Sequence, residues 1–153
     1  MKRNKKKLNN KGFSLVELII VIAIMAILSG ALAPQLIKYL DKSRKATDVQ
    51  TAQTIATAVN TALTEEAVYN LIENGDVYKI SELNTTPDAF ETAVYEIIKA
   101  TPVPKYKASV SREFCIVFTV VNGNKTFDIY SSEDDSPSDS TQMLYPNVGT
   151  NYK

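Results

Sequence analysis

The chain has 153 residues, enough for one modest domain, with no histidine and one cysteine, Cys115, so an intrachain disulfide and a cysteine-based metal cage are excluded. Its 17 basic and 17 acidic residues balance, but six of the bases and none of the acids fall in residues 1–12, leaving 11 bases against 17 acids beyond. A basic amino-terminal head on a mildly acidic body gives no support to nucleic-acid binding.

The basic head (Lys2, Arg3, Lys5, Lys6, Lys7 and Lys11) leads into "GFSLVELIIVIAIMAIL". From Leu18 to Ile37 twenty residues pass without a charge. As a helix they extend about 30 Å, the thickness of a hydrocarbon core, and the bases before them hold that end in the cytoplasm. A secretory signal is one reading, with Ala31-Leu32-Ala33 as its cleavage site, but Pro34 would follow the cut and Glu17 interrupts the start of the apolar region. A plain membrane anchor is another, and it leaves Glu17 unexplained.

A third reading uses all of these features. "KGFSLVEL" resembles the processing site of type IV prepilins: a short basic leader ending in Gly12, a cut before Phe13, and Glu17 as the fifth residue of the mature chain. The resemblance covers residues 1–40 closely and is architectural beyond them. It implies cleavage between Gly12 and Phe13 by a prepilin peptidase and N-methylation of Phe13, with the apolar helix retained. It also implies pairing of Glu17 with the new amine of Phe13 of a neighbouring subunit, which would set the register of an incoming subunit. Gly30 and Pro34 mark a kink in the apolar helix or, by the same resemblance, a stretch that unwinds in the filament.

The amphipathic pattern continues beyond the apolar run. Ala52, Ile55, Ala56, Val59, Ala62 and Leu63 recur at spacings of three and four, while Lys42, Arg44 and Lys45 cluster where the helix leaves the membrane. With no breaker until Asn74-Gly75, the expectation is one helix from Phe13 to about Glu73. Thr86-Pro87-Asp88 reads as a cap with proline at the first helical position, followed by a short helix with Phe90, Val94, Ile97 and Ile98 on one face. Three strand faces follow: Tyr106, Ala108 and Val110; Phe114, Ile116, Phe118 and Val120; Phe127 and Ile129. Asn122-Gly123-Asn124 marks a hairpin between the last two. Met143, Leu144 and Tyr145 pin the carboxy-terminal segment.

The expected fold class is therefore α+β: a long helical spine, transmembrane in its first half, under a small antiparallel sheet head, as in pilins. The expected organisation is leader 1–12, membrane or filament-core helix 13–40, amphipathic helix 41–75 and head 76–153. Catalytic and cofactor roles find little support. Glu133, Asp134, Asp135 and Asp139 lack EF-hand spacing and read as a solvated loop. Glu65 and Glu66 point to different sides of a helix, and Cys115 has no histidine to activate it. Asn84-Thr85-Thr86 and Asn124-Lys125-Thr126 match glycosylation sequons that arise by chance. No catalytic residue, metal ligand or cofactor is assigned.

The resulting expectation is a structural subunit of a type IV pilus or similar filament, in the cytoplasmic membrane before assembly and on the cell surface afterwards, serving adhesion or motility. Its partners would be further copies of itself, a prepilin peptidase, an assembly ATPase and a platform protein, and no nucleic acid unless it serves DNA uptake. The alternatives are a pseudopilin of type II secretion or DNA uptake, or an anchored binding domain.

Overall fold

The computed structural model describes residues 12–107, 112–134 and 137–153. The chain divides into two compact units, one ending at Leu40 and the other spanning Asp41–Lys153.

Helix α1, Leu15–Ala62, contributes to both units. Every described residue up to Leu40 is exposed. The apolar segment is long enough to cross a membrane, and among the described residues none of its most apolar stretch is buried. An all-round apolar helix of this kind needs hydrocarbon or other helices about it.

In the second unit, α1 presents Ala52, Ile55, Ala56, Val59 and Ala62 to the core, all but fully buried, with Leu63 partly buried beside them. The opposite face carries threonines whose hydroxyls donate to carbonyls one turn back, such as Thr54 to Gln50 and Thr57 to Gln53. The expected run to Glu73 is corrected: α1 ends at Ala62, and a separate short helix α2 occupies Glu66–Leu71. Thr64 explains the break. Its N–H and its hydroxyl both donate to the Thr61 carbonyl, at 3.1 and 2.6 Å, and the Glu65 N–H donates to the Ala62 carbonyl at 3.1 Å. These three-residue bonds tighten the turn and displace the four-residue helical ladder.

After Gly75, at φ 92°, comes strand β1, Val77–Lys79, then helix α3, Ala89–Ile98. The cap of α3 is Asp88 alone, with Pro87 outside the helix. The Asp88 carboxylate accepts the Glu91 N–H at 2.7 Å, and the Glu91 carboxylate accepts the Asp88 N–H at 3.0 Å. This reciprocal box satisfies two donors that the helix start leaves without carbonyl partners. Phe90 and Val94 are buried and Ile98 is partly buried, while Ile97 in the last turn is exposed.

Strands β2 (Glu113–Val121), β3 (Asn124–Ser132) and β4 (Met143–Tyr145) complete an antiparallel sheet in the order β1-β2-β3-β4. Asn122 and Gly123 form the β2–β3 turn with φ 52° and 79°, the left-handed pair that a two-residue hairpin requires. Asn124 belongs to the strand and pairs with Val121. Of the first expected strand, Tyr106 lies in a turn, and Ala108 and Val110 fall outside the described residues.

One sheet face carries the pairs Ile116 with Ile129 and Phe118 with Phe127, which join the α1 residues and Phe90 in a single core. Phe118 meets Phe90 edge-on at 5.3 Å between ring centres, within the favourable range for aromatic pairs. The fold is thus α+β, a long amino-terminal helix packed with a four-stranded antiparallel sheet.

Candidate functional site

The amino-terminal segment is built around the start of α1. Ser14 precedes the first helical residue, and its N–H donates to the Glu17 carboxylate at 2.8 Å. Its carbonyl accepts the Leu18 N–H at 3.2 Å. Ser14-x-x-Glu17 is therefore half of a capping box, with the acid reaching back to the residue before the helix. The Ser-x-x-Glu spacing that signals it is present in the sequence. A carboxylate in the first turn also complements the positive end of the helix dipole.

Phe13 and Gly12 lie just outside this cap, both exposed. A side chain added at Gly12 would meet no atom within 4 Å, so nothing in the described structure around it demands a glycine. Residues 1–11, the rest of the expected leader, fall outside the described part. Further along, α1 continues through Gly30 and Pro34 as one helix. Proline has no N–H to donate, and the carbonyl it would have engaged, four residues back, is that of Gly30. A glycine there also removes one side chain from the turn that the proline ring crowds.

A second constellation went unread in the sequence. Asp48 lies on α1 and is buried, its two carboxylate oxygens accepting the Lys105 N–H at 2.7 Å and the Tyr106 N–H at 2.8 Å. Burial pushes its carboxyl above the ordinary value, opposed by these two bonds and by the Lys105 ammonium. The clamp fixes the 103–107 segment beside α1. Tyr106 meets Tyr152 edge-on at 5.4 Å, and the Lys45 ammonium lies 4.8 Å from the Tyr106 ring centre. An acid within a threonine-rich stretch looks solvated by pattern alone, and its partners are backbone groups 57 and 58 residues away.

The acidic segment is divided among structural tasks. Glu133 pairs with Arg112 at 3.5 Å. Asp139 accepts the Thr141 N–H at 2.9 Å and its hydroxyl at 2.8 Å, and these bonds hold its carboxyl below the ordinary value. Asp135 is not among the described residues, and among those that are, no three acids, cysteines or histidines gather as metal ligands do. Glu65 and Glu66 are exposed. Cys115 faces away from the core face yet is buried, paired across the strands with the buried Tyr130. Asn84 and Asn124 are exposed.

These features define a class: an α+β subunit with an apolar amino-terminal helix suited to membrane anchoring and a capped carboxylate at its start. Residues 7–33 match the prokaryotic N-terminal methylation motif. The chain is also 36% identical, over 74 residues, to prepilin peptidase-dependent protein A of Clostridium perfringens, a match covering 48% of this chain and 53% of that one. It thus spans about half the length of the curated relative it matches. No solved structure matches the chain. The motif and the relative together support a type IV pilin-like family.

Proposed function

We propose that this protein is the structural subunit of a type IV pilus-like filament. It is made as a membrane-spanning precursor, cut by a prepilin peptidase between Gly12 and Phe13, and N-methylated on Phe13. An assembly ATPase and a platform protein then transfer it from the cytoplasmic membrane into an open helical fibre outside the cell, where identical non-closing contacts allow indefinite growth. Glu17 is the assembly residue, and Gly30 with Pro34 is the stretch that yields when the helix is drawn into the filament core.

The observation that carries this reading is the Glu17 carboxylate resting on the Ser14 N–H at 2.8 Å. Ser14 directly follows Phe13, where cleavage would create a positive amine, so a carboxylate in this place suits the role of partner for that amine, in this chain or a neighbour.

Mass spectrometry of the mature amino terminus tests it, with N-methylated Phe13 expected. A chain beginning at Pro34 would mean ordinary signal cleavage and overturn the proposal. Gly12→Val should leave an uncut, membrane-bound precursor longer by the twelve leader residues, and normal processing of that variant would contradict the assigned cleavage site.

A further inference from the structure

The Asp48 clamp creates a surface that the filament reading does not use. Between α1 and the 103–107 segment lies an open groove of about 830 Å³, lined by Asp41, Arg44, Val103, Lys105, Tyr106 and Lys107. Its wall is held in place, since the N–H groups of Lys105 and Tyr106 are fixed on Asp48. Two ammonium groups lie over the Tyr106 ring, Lys45 at 4.8 Å and Lys107 at 5.7 Å from its centre. Val103 projects into solvent, 65% exposed. The one acid of the groove, Asp41, reaches Arg44 at 3.8 Å through an exposed pair, and pairs of that kind hold weakly.

Position along the chain gives this groove its meaning. Asp41 and Arg44 follow within seven residues of Ile37, the end of the uncharged run, and Lys38, Lys42 and Lys45 belong to the same stretch. Tyr39, 69% exposed, is the type of residue found at the headgroup level of bilayers. The leader bases suffice to orient the chain, so a second basic cluster on the far side of the span is not needed for topology. Basic side chains beside an exposed valine and an aromatic ring suit a surface that offers phosphate and the edge of hydrocarbon together.

We propose that this groove docks the phosphodiester headgroup of an anionic phospholipid in the leaflet facing the head, with Arg44, Lys105 and Lys107 on the phosphate and Val103 at the acyl boundary. The contact seats the subunit on the membrane surface before assembly. It rests on the reading that residues 18–37 span the bilayer.

The test uses the full chain reconstituted into vesicles of phosphatidylcholine, or of phosphatidylcholine and phosphatidylglycerol in equal parts. Lysines are acetylated with a membrane-impermeant reagent and quantified by peptide mass spectrometry. Lys105 and Lys107 should be protected several-fold in the phosphatidylglycerol vesicles only, with Lys99, at the end of α3, reacting equally in both. Arg44→Gln should lower that protection about fivefold, the effect of one basic residue near an anionic surface. Asp41→Asn, which removes the competing carboxylate, should raise it.

Equal protection in both vesicles, with the chain resistant to alkaline extraction, overturns the lipid site and leaves the span intact. A chain that inserts into neither vesicle removes the span and the proposal with it. Protection that follows protein density, or that duplex DNA produces in phosphatidylcholine alone, assigns the groove to another copy or to nucleic acid and overturns the proposal.

Discussion

At Glu17 the carboxylate serves its own helix before it can serve a neighbour, because it already accepts the Ser14 N–H. Two substitutions separate these roles. Glu17→Gln keeps an acceptor for the cap and loses the charge, whereas Glu17→Val loses both. Insertion should proceed at least as well for either, since an ionised acid within a span costs roughly 2.5–3.5 kcal/mol at mid-bilayer and less near its end. If charge pairing drives assembly, both variants are processed and both give few or no filaments by electron microscopy. Breaking a buried pair from one side costs about 3–5 kcal/mol at each subunit added. Abundant filaments from Glu17→Gln would reduce the residue to a helix cap. Asp48 offers a second test at this scale. Its raised pKa means that its titration adds stability fully present below the ordinary 3.8 and lost as pH climbs through the folded-state value. Asp48→Asn cannot titrate and leaves one of the two N–H groups poorly paired, a loss of about 1–3 kcal/mol. Denaturant unfolding across a pH series should therefore show the wild-type advantage over Asp48→Asn growing as pH falls and levelling off below 3.8. A constant advantage would mean that burial does not perturb this carboxyl.

Among the elements, Lys125 couples the β2–β3 hairpin to α2. Its ammonium donates to the Tyr69 carbonyl and, at 2.7 Å, to the Ile72 carbonyl, and it lies 4.5 Å from the Tyr69 ring centre. The Tyr69 hydroxyl returns the contact by donating to the Gly123 carbonyl at 2.9 Å. These are carbonyls that the end of a helix leaves without an internal donor, so the ammonium both pairs them and meets the negative end of the dipole. Lys125→Met should lower stability by about 1–2 kcal/mol, read as a shift in the denaturation midpoint at unchanged slope. An unchanged midpoint would show the contact to be incidental. The same region shows where pattern reading succeeds and fails. The α1 core face, the Asn122-Gly123 turn and the alternation in β2 and β3 were legible because periodicity and turn chemistry are local. The end of α1 was not, because Thr64 breaks the helix with a side-chain bond and no glycine or proline marks it. Strand β1 has three residues, too few for an alternation to register. The Asp48 clamp depends on a fold that brings residue 105 to residue 48, which no local pattern encodes. At the amino terminus, Gly12, Phe13 and Glu17 are legible as a motif, and Ser14-x-x-Glu17 is legible as a capping-box spacing, of which the structure forms the half in which the Glu17 carboxylate accepts the Ser14 N–H.

On the scale of the whole molecule, the unit Asp41–Lys153 has its own core of aromatic and aliphatic side chains drawn from α1, α3 and the sheet. A fragment beginning at Asp41 should therefore be a soluble monomer with one cooperative thermal transition, checked by light scattering and calorimetry. Aggregation or a transition without cooperativity would mean that the apolar helix half contributes to folding of the head. The lone thiol of the chain makes such experiments possible on the intact protein as well. Cys115 is buried in the second strand of the sheet and paired with a tyrosine of the third. A thiol-reactive dye cannot reach it until those strands part, so the rate of its modification is a clock for opening of the sheet. Because the sequence contains no other cysteine, the clock reads a single position without any engineering. It can be read on the full chain in vesicles, on isolated heads and on the fibres that the proposed function expects, and the ratio of the rates measures how much each setting stiffens the same few residues.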